Sequence, residues 1–212
     1  WRINTQGAAK VFTAASAFPT RPQALHSLAA DVESGTLYVS DQGDRKGKGG
    51  AIYRIDPDGK ASLVLDQKKF PELHTPAGLL LDGASHLLMT DSGTGMLYRI
   101  KLADQTVEKV TDKLGEADSL AWDQFGRLFI ADRKGGQVFI IARADAMPAL
   151  LAKGLKSAAG IAVEPSTRQL IIADSGAGSI VASPIIVPGA EGNEEPLALK
   201  TECAFPNLKW TG

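Results

Sequence analysis

Residues 118–123 read Asp-Ser-Leu-Ala-Trp-Asp, and after a short turn residues 126–132 read Gly-Arg-Leu-Phe-Ile-Ala-Asp. Each run is short, apolar and closed by an acid, which is typical of β-strands bounded by turns and not of helices. The aspartate that closes the second run recurs as Asp41, Asp91, Asp132 and Asp174, at intervals of 50, 41 and 42 residues. The sequence therefore contains an internal repeat.

A third run follows in each repeat after a glycine-containing turn, as at residues 51–55, 96–100 and 137–141. A weaker fourth run, such as residues 61–65, completes the unit. Four strands in about 42 residues is the size of one propeller blade. We predict an all-β fold with under about 10% helix, a β-propeller of four-stranded blades. The four complete blades cover approximately residues 24–66, 74–112, 115–153 and 156–200.

The two ends of the chain resemble parts of a blade. Residues 1–4 (Trp-Arg-Ile-Asn) align with residues 53–56, so residues 1–12 are expected to form half a blade. Residues 205–208 resemble residues 70–73, which precede the second repeat. We therefore expect a single propeller domain over residues 1–212 that is incomplete at both ends, with missing blades in the parent chain or another subunit.

Two sets of residues follow from this alignment. The first strands of the blades should include residues 28–31, 79–82, 120–123 and 161–164. The second strands should bury the side chains of Leu37, Val39, Leu88, Leu128, Ile130, Leu170 and Ile172, because neighbouring blades cover both faces of such strands.

Composition excludes several classes of protein. Lys plus Arg total 23 against 24 Asp plus Glu, which argues against a nucleic-acid-binding protein. No apolar run approaches the roughly 20 residues of a membrane-spanning helix. The single cysteine, Cys203, excludes an internal disulfide framework and is expected to be a small buried apolar residue or a free thiol.

One position of the repeat suggests chemistry. The start of a blade's first strand points to the mouth of the central channel, and this position holds His26, Ala77, Asp118 and Ala159. An imidazole and a carboxylate can coordinate a divalent metal or transfer protons. The alternative is that Asp118 caps a turn and His26 is a solvated loop residue.

Other polar motifs favour structural roles. The triplets at residues 91–93 and 174–176 (Asp-Ser-Gly) fit turns, because Asp and Ser side chains bond backbone amides and Gly accepts positive φ. His74 and His86 are expected to be surface or packing residues. The basic loop at residues 45–48 could bind a carboxylate or phosphate group, although a solvated loop explains it as well.

Residues 118–131 resemble the Pro-Asp-Gly-Leu-Ala-x-Asp-x-x-Gly-x-Leu-Trp-Val-Ala run of the SMP-30/gluconolactonase family, and the second and fourth repeats resemble NHL repeats. The resemblance covers residues 24–183 and implies a six-bladed propeller. It also implies a divalent metal (Ca²⁺ or Zn²⁺), held at the channel mouth by a Glu, an Asn and an Asp, that assists sugar-lactone hydrolysis. Asp118 matches the metal-binding and catalytic Asp, and His26 stands where the Glu is expected. Ala77 and Ala159 offer no side-chain ligand.

Two functions remain open at this point. The chain is either a metal-dependent sugar-lactone hydrolase or a non-catalytic propeller that binds a protein or glycan partner, and a fold alone cannot choose between them.

Overall fold

The computed structural model describes residues 1–44, 46–143 and 146–185 and the backbone of residues 197–198. The chain divides into two compact units, residues 1–110 and 111–212. The fold class is confirmed as an all-β propeller, with four blade-like sheets and a further small sheet near the N-terminus. Among the described residues the helix content is one short 3-10 helix, Ala15–Ala17. No helix in this part of the chain has the length and apolar character to cross a membrane.

The first unit contains a two-stranded hairpin and two four-stranded sheets. The hairpin is formed by β1 (Arg2–Ile3) and β2 (Ala9–Lys10). The first sheet is formed by β3 (Leu25–Ala30), β4 (Leu37–Asp41), β5 (Ala51–Ile55) and β6 (Ala61–Asp66). The second sheet is formed by β7 (Pro76–Asp82), β8 (His86–Asp91), β9 (Met96–Lys101) and β10 (Val107–Thr111). In both sheets each strand lies beside the next strand of the chain.

Alternation along the strands of the first sheet produces two cores. On one face Ile52 and Leu65 pack with Leu87 and Met89 of the second sheet. On the other face Tyr53 and its neighbours pack under Phe18, whose ring meets the Tyr53 ring edge-on at 5.0 Å between centroids. Because successive side chains of a strand point to opposite faces, an apolar run of five residues can line both cores.

The second unit contains two sheets with the same strand order. The third sheet is formed by β11 (Ala117–Trp122), β12 (Leu128–Asp132), β13 (Gln137–Ile141) and β14 (Ala149–Lys153). The fourth sheet is formed by β15 (Ala158–Glu164), β16 (Gln169–Asp174) and β17 (Ser179–Pro184). The last blade was expected to extend to residue 200. Residues 197–198, as β18 (Leu197–Ala198), instead lie parallel to β14 of the third sheet.

The predicted first strands and core residues agree with this arrangement. The predicted runs fall within β3, β7, β11 and β15, apart from the last residue of two of them, and within each unit the first strands of the two sheets pack against each other. Six of the seven predicted core side chains are buried, and Leu37 is partly exposed. Cys203 lies outside the described residues.

Candidate functional site: the bulge in each first strand

The four positions singled out by the repeat lie in equivalent β-bulges. On β11, Ala117 pairs with Asp132 and Ser119 with Ala131, so Asp118 is an extra residue without a register partner on β12. Strand β15 has the same irregularity between Ala158 and Gly160, at Ala159. In the first unit the regular pairing of β3 is interrupted at His26 and Ser27, and that of β7 at Ala77 and Gly78. The four positions are structurally equivalent, because each lies in the bulge at the start of a first strand. Such bulges redirect side chains and are frequent beside active sites.

The two polar side chains at these positions differ in exposure. Asp118 is only 4% exposed, whereas His26 is exposed. Asp118 belongs to the second unit and His26 to the first, so the convergence of the two side chains on one site stays a prediction. Of the two side chains, only that of Asp118 is surrounded by other protein atoms.

A serine follows each of these two polar residues, and sequence reasoning missed its role. The hydroxyl of Ser119 accepts a hydrogen bond from the Ile161 amide of the fourth sheet at 3.2 Å. The hydroxyl of Ser27 accepts one from the Leu79 amide of the second sheet at 3.1 Å. The signal was present in the sequence as an alternation: His26 and Asp118 are followed by Ser, while Ala77 and Ala159 are followed by Gly.

The aspartate that closes each second strand is a buried structural clamp. Asp91 accepts hydrogen bonds from the amides of His74 and Thr75, at the start of the repeat, and from Gly93 in the following turn. The equivalent clamps are Asp41, Asp132 and Asp174, each at most 4% exposed. These bonds explain the recurrence of the aspartate. They also confirm that the Asp-Ser-Gly triplets are turns.

The described residues offer only part of a metal site. Within neither unit do three or more His, Cys, Asp or Glu side chains of the described residues gather as ligands of one ion. Ca²⁺ takes six to eight oxygen ligands and structural Zn²⁺ takes four ligands. The Asp118 carboxylate fits as one ligand, but the equivalent residue of the neighbouring sheet is Ala159. The described residues of this unit therefore do not complete an ion site at this bulge.

The remaining polar candidates have local partners. The His86 Nδ1 atom lies 2.8 Å from the Ser85 hydroxyl, and His74 is exposed. A Cβ atom added at Gly47 would lie 2.6 Å from the His74 ring, so this histidine packs against the basic loop.

Hydrogen bonds from Asp44 and Gln67 hold the backbone of the described part of the basic loop. The Asp44 carboxylate accepts hydrogen bonds from the Lys46 and Lys48 amides, and Gln67 bonds both Gly47 and Gly49. The side chains of Lys46 and Lys48 are exposed, so the described part of this loop fits the solvated alternative.

A small cleft of about 40 Å³ lies between the two sheets of the second unit. Its walls are mostly apolar and include Phe129, Ile140 and Ile172, with Arg127 at one side. Arg127 is paired with the Asp123 carboxylate at 2.6 Å. Asp118 is not among the residues that line this cleft, so the cleft and the bulge are separate features.

The comparison with protein families gives one match. The model of the family described as SMP-30/Gluconolactonase/LRE-like region matches residues 29–151, more than half of the chain. The matched stretch contains Ala77 and Asp118 but begins after His26 and ends before Ala159. No curated protein matches the chain.

Proposed function

The chain belongs to the SMP-30/Gluconolactonase/LRE-like family, and we propose that it hydrolyses sugar lactones with Asp118 as the catalytic carboxylate. The observation that carries the proposal is the position of Asp118: a buried carboxylate, in a β-bulge at the start of a first strand, inside the family match. The other polar bulge residue, His26, is exposed and outside the match.

Asp118 would act as a general base in this reaction. Its carboxylate accepts a proton from the attacking water, whose oxygen bonds to the lactone carbonyl carbon. The ring C–O bond then breaks, the ring oxygen takes up a proton, and the product is an open hydroxy acid. If Asp118 supplied one ligand of a divalent ion (Ca²⁺ or Zn²⁺), that ion would polarise the lactone carbonyl and lower the pKa of a bound water.

A second function is favoured by the small residues at two of the four bulges. Ala77 and Ala159 carry no ligating or acid–base group, and in neither unit do the described residues gather metal ligands. The alternative proposal is a propeller without catalysis that binds a protein or glycan partner with these strand ends.

The test compares the wild-type protein with Asp118→Asn and, as a control, Asp104→Asn in an exposed turn. Both substitutions are nearly isosteric. Hydrolysis of a panel of aldonolactones with Ca²⁺ or Zn²⁺ should fall about 100-fold or more for Asp118→Asn only, the usual cost of losing a general base. An ion that binds the native state should also raise the melting temperature of the wild type more than that of Asp118→Asn.

Two results would overturn the proposal. Equal turnover by the wild type and Asp118→Asn would remove Asp118 from catalysis. Failure of the wild type to open any lactone, together with retention on a glycan array, would favour the binding protein.

A further inference from the structure

The residue after each bulge position alternates along the chain together with the bulge position itself. His26-Ser27 is followed one repeat later by Ala77-Gly78, and Asp118-Ser119 by Ala159-Gly160. Thus each unit has one sheet with a polar residue and a serine at the bulge, and one sheet with an alanine and a glycine. On the first strands themselves, a serine follows the bulge position only where that position is polar. At the Ala77 bulge the hydroxyl group comes instead from β8, where Thr90 accepts a hydrogen bond from the Gly78 amide at 2.8 Å.

Both hydroxyl groups make the same bond to the next sheet. Ser27 receives the amide hydrogen of Leu79, and Ser119 receives that of Ile161, in each case from the residue directly after the glycine. The bond therefore ties the bulge of one first strand to the bulge of the next. A β-bulge locally disrupts the ladder, so a side-chain bond across it restricts a part of the backbone that strand pairing leaves less constrained.

The first unit strengthens this tie with a second hydroxyl. Ser40 on β4 accepts a hydrogen bond from the Ser27 amide at 2.9 Å and donates one to the Ala77 carbonyl at 2.7 Å. In the second unit Ala131 stands where Ser40 stands, directly before the clamp aspartate. In the first unit Ser27 and Ser40 both join the two sheets through their hydroxyl groups. In the second unit Ser119 takes this role without a counterpart of Ser40.

From this geometry we infer that Ser119 is a positioning residue for Asp118. Its hydroxyl fixes the β11 bulge against β15 and so sets where the adjacent carboxylate points. The inference rests on the proposed function for its catalytic consequence, but the positioning itself concerns only the structure of the bulge.

Three variants test the positioning itself: Ser119→Ala, Ser119→Thr, and Ser27→Ala as the matched control for the structural measurements. Ser27→Ala deletes the same kind of bond in the other unit. Hydrogen exchange at the Ile161 amide should be about 2- to 10-fold faster in Ser119→Ala, as the loss of one hydrogen bond predicts. Exchange should be unchanged in Ser27→Ala and restored in Ser119→Thr, because threonine keeps the hydroxyl and suits a strand.

The functional readout separates positioning from simple loss of stability. In Ser119→Ala the kcat for lactone hydrolysis should fall about tenfold with KM nearly unchanged, because small displacements of a reacting group reduce the rate steeply. Ser119→Thr should restore kcat. Thr13→Val, which deletes a partly buried hydroxyl bond to the Gly59 carbonyl outside both bulges, should leave kcat at the wild-type value.

Crystal structures of the same variants decide the inference even if the wild type hydrolyses no lactone. The Asp118 carboxylate should move by more than about 0.5 Å in Ser119→Ala, the tolerance of a functional group in a built site. It should stay in place in Ser27→Ala. An unmoved Asp118 in Ser119→Ala, or an equal movement in Ser27→Ala, would overturn the inference. If the wild type hydrolyses no lactone but Asp118 is displaced in Ser119→Ala, only the proposed function is overturned.

Discussion

Strands β3 and β11 have the same local design and opposite exposure. Both begin with a bulge that presents a polar side chain, and both are tied by a serine to the next sheet. On β3, Leu25 and Leu28 are 52% and 57% exposed, whereas on β11 Ala117 and Leu120 are 0% and 7% exposed. The backbone motif therefore directs a side chain but does not determine the environment of that side chain. The environment makes Asp118 a stronger catalytic candidate than His26.

The largest effect should come from the leucines at equivalent positions of the two strands. Leu120→Ala should reduce the free energy of unfolding by about 2–5 kcal/mol, because it deletes buried methyl groups and leaves a cavity. Leu28→Ala should change it by roughly 0.5 kcal/mol or less, as surface substitutions usually do. Urea unfolding followed by circular dichroism measures both. Similar losses for the two variants would contradict the difference in exposure.

An intermediate effect should be common to both strands. Asp41 and Asp132 clamp the loops that lead into β3 and β11, and both are buried. Replacing either with Ala leaves partly buried backbone amides without an acceptor, which should cost roughly 1–3 kcal/mol in each case. The same unfolding measurement applies, with Asp58→Ala in an exposed turn as the control. A neutral Asp132→Ala would show that the clamp matters in the first unit only.

The smallest effect concerns the pKa of Asp104, an exposed carboxylate that contrasts with the buried carboxylate of Asp118. Asp104, in the turn after β9, is bonded by the Lys101 ammonium and by Thr106, and these bonds lower its pKa to about 2. Because the folded-state pKa is below the ordinary value of 3.8 for an aspartate, the associated stabilisation is present above that value and is lost as the pH falls towards 2.

Carbon-detected NMR titration of the Asp104 carboxyl group measures this value directly. Lys101→Ala should raise the Asp104 pKa towards its ordinary value, and Thr106→Val should raise it less, because the bond to Lys101 is the larger cause. An unchanged titration in Lys101→Ala would contradict the assignment.

The sequence predicted the sheets well because each strand is bounded by local signals. Short apolar runs, closing aspartates and glycine turns mark the ends of the strands, and the strand order follows the chain. The exposure of His26 and the burial of Asp118 could not be predicted, because the two residues stand in the same pattern. The bulges arise from pairing between strands, so no single run shows them.

The clamp aspartates were visible in the sequence as a period, but not as buried acceptors. An aspartate after a strand also fits an ordinary surface turn. The distant partners of Asp91, such as the His74 amide 17 residues earlier, become apparent only when the repeat is folded. For the same reason the serine ties were missed, since each joins residues 42 or 52 positions apart.

The clamp at Asp41 has a consequence for protein engineering. The connection between β4 and β5 covers residues 42–50, while the equivalent connections of the second and third sheets are the short turns 92–95 and 133–136. Strands on both sides nevertheless keep regular pairing, since Asp41 fixes the base of the connection through the amides of Ala24 and Gly43. We therefore expect the clamp to make the pairing of β4 and β5 insensitive to the length of this connection, so a foreign peptide grafted there should leave the two strands in register.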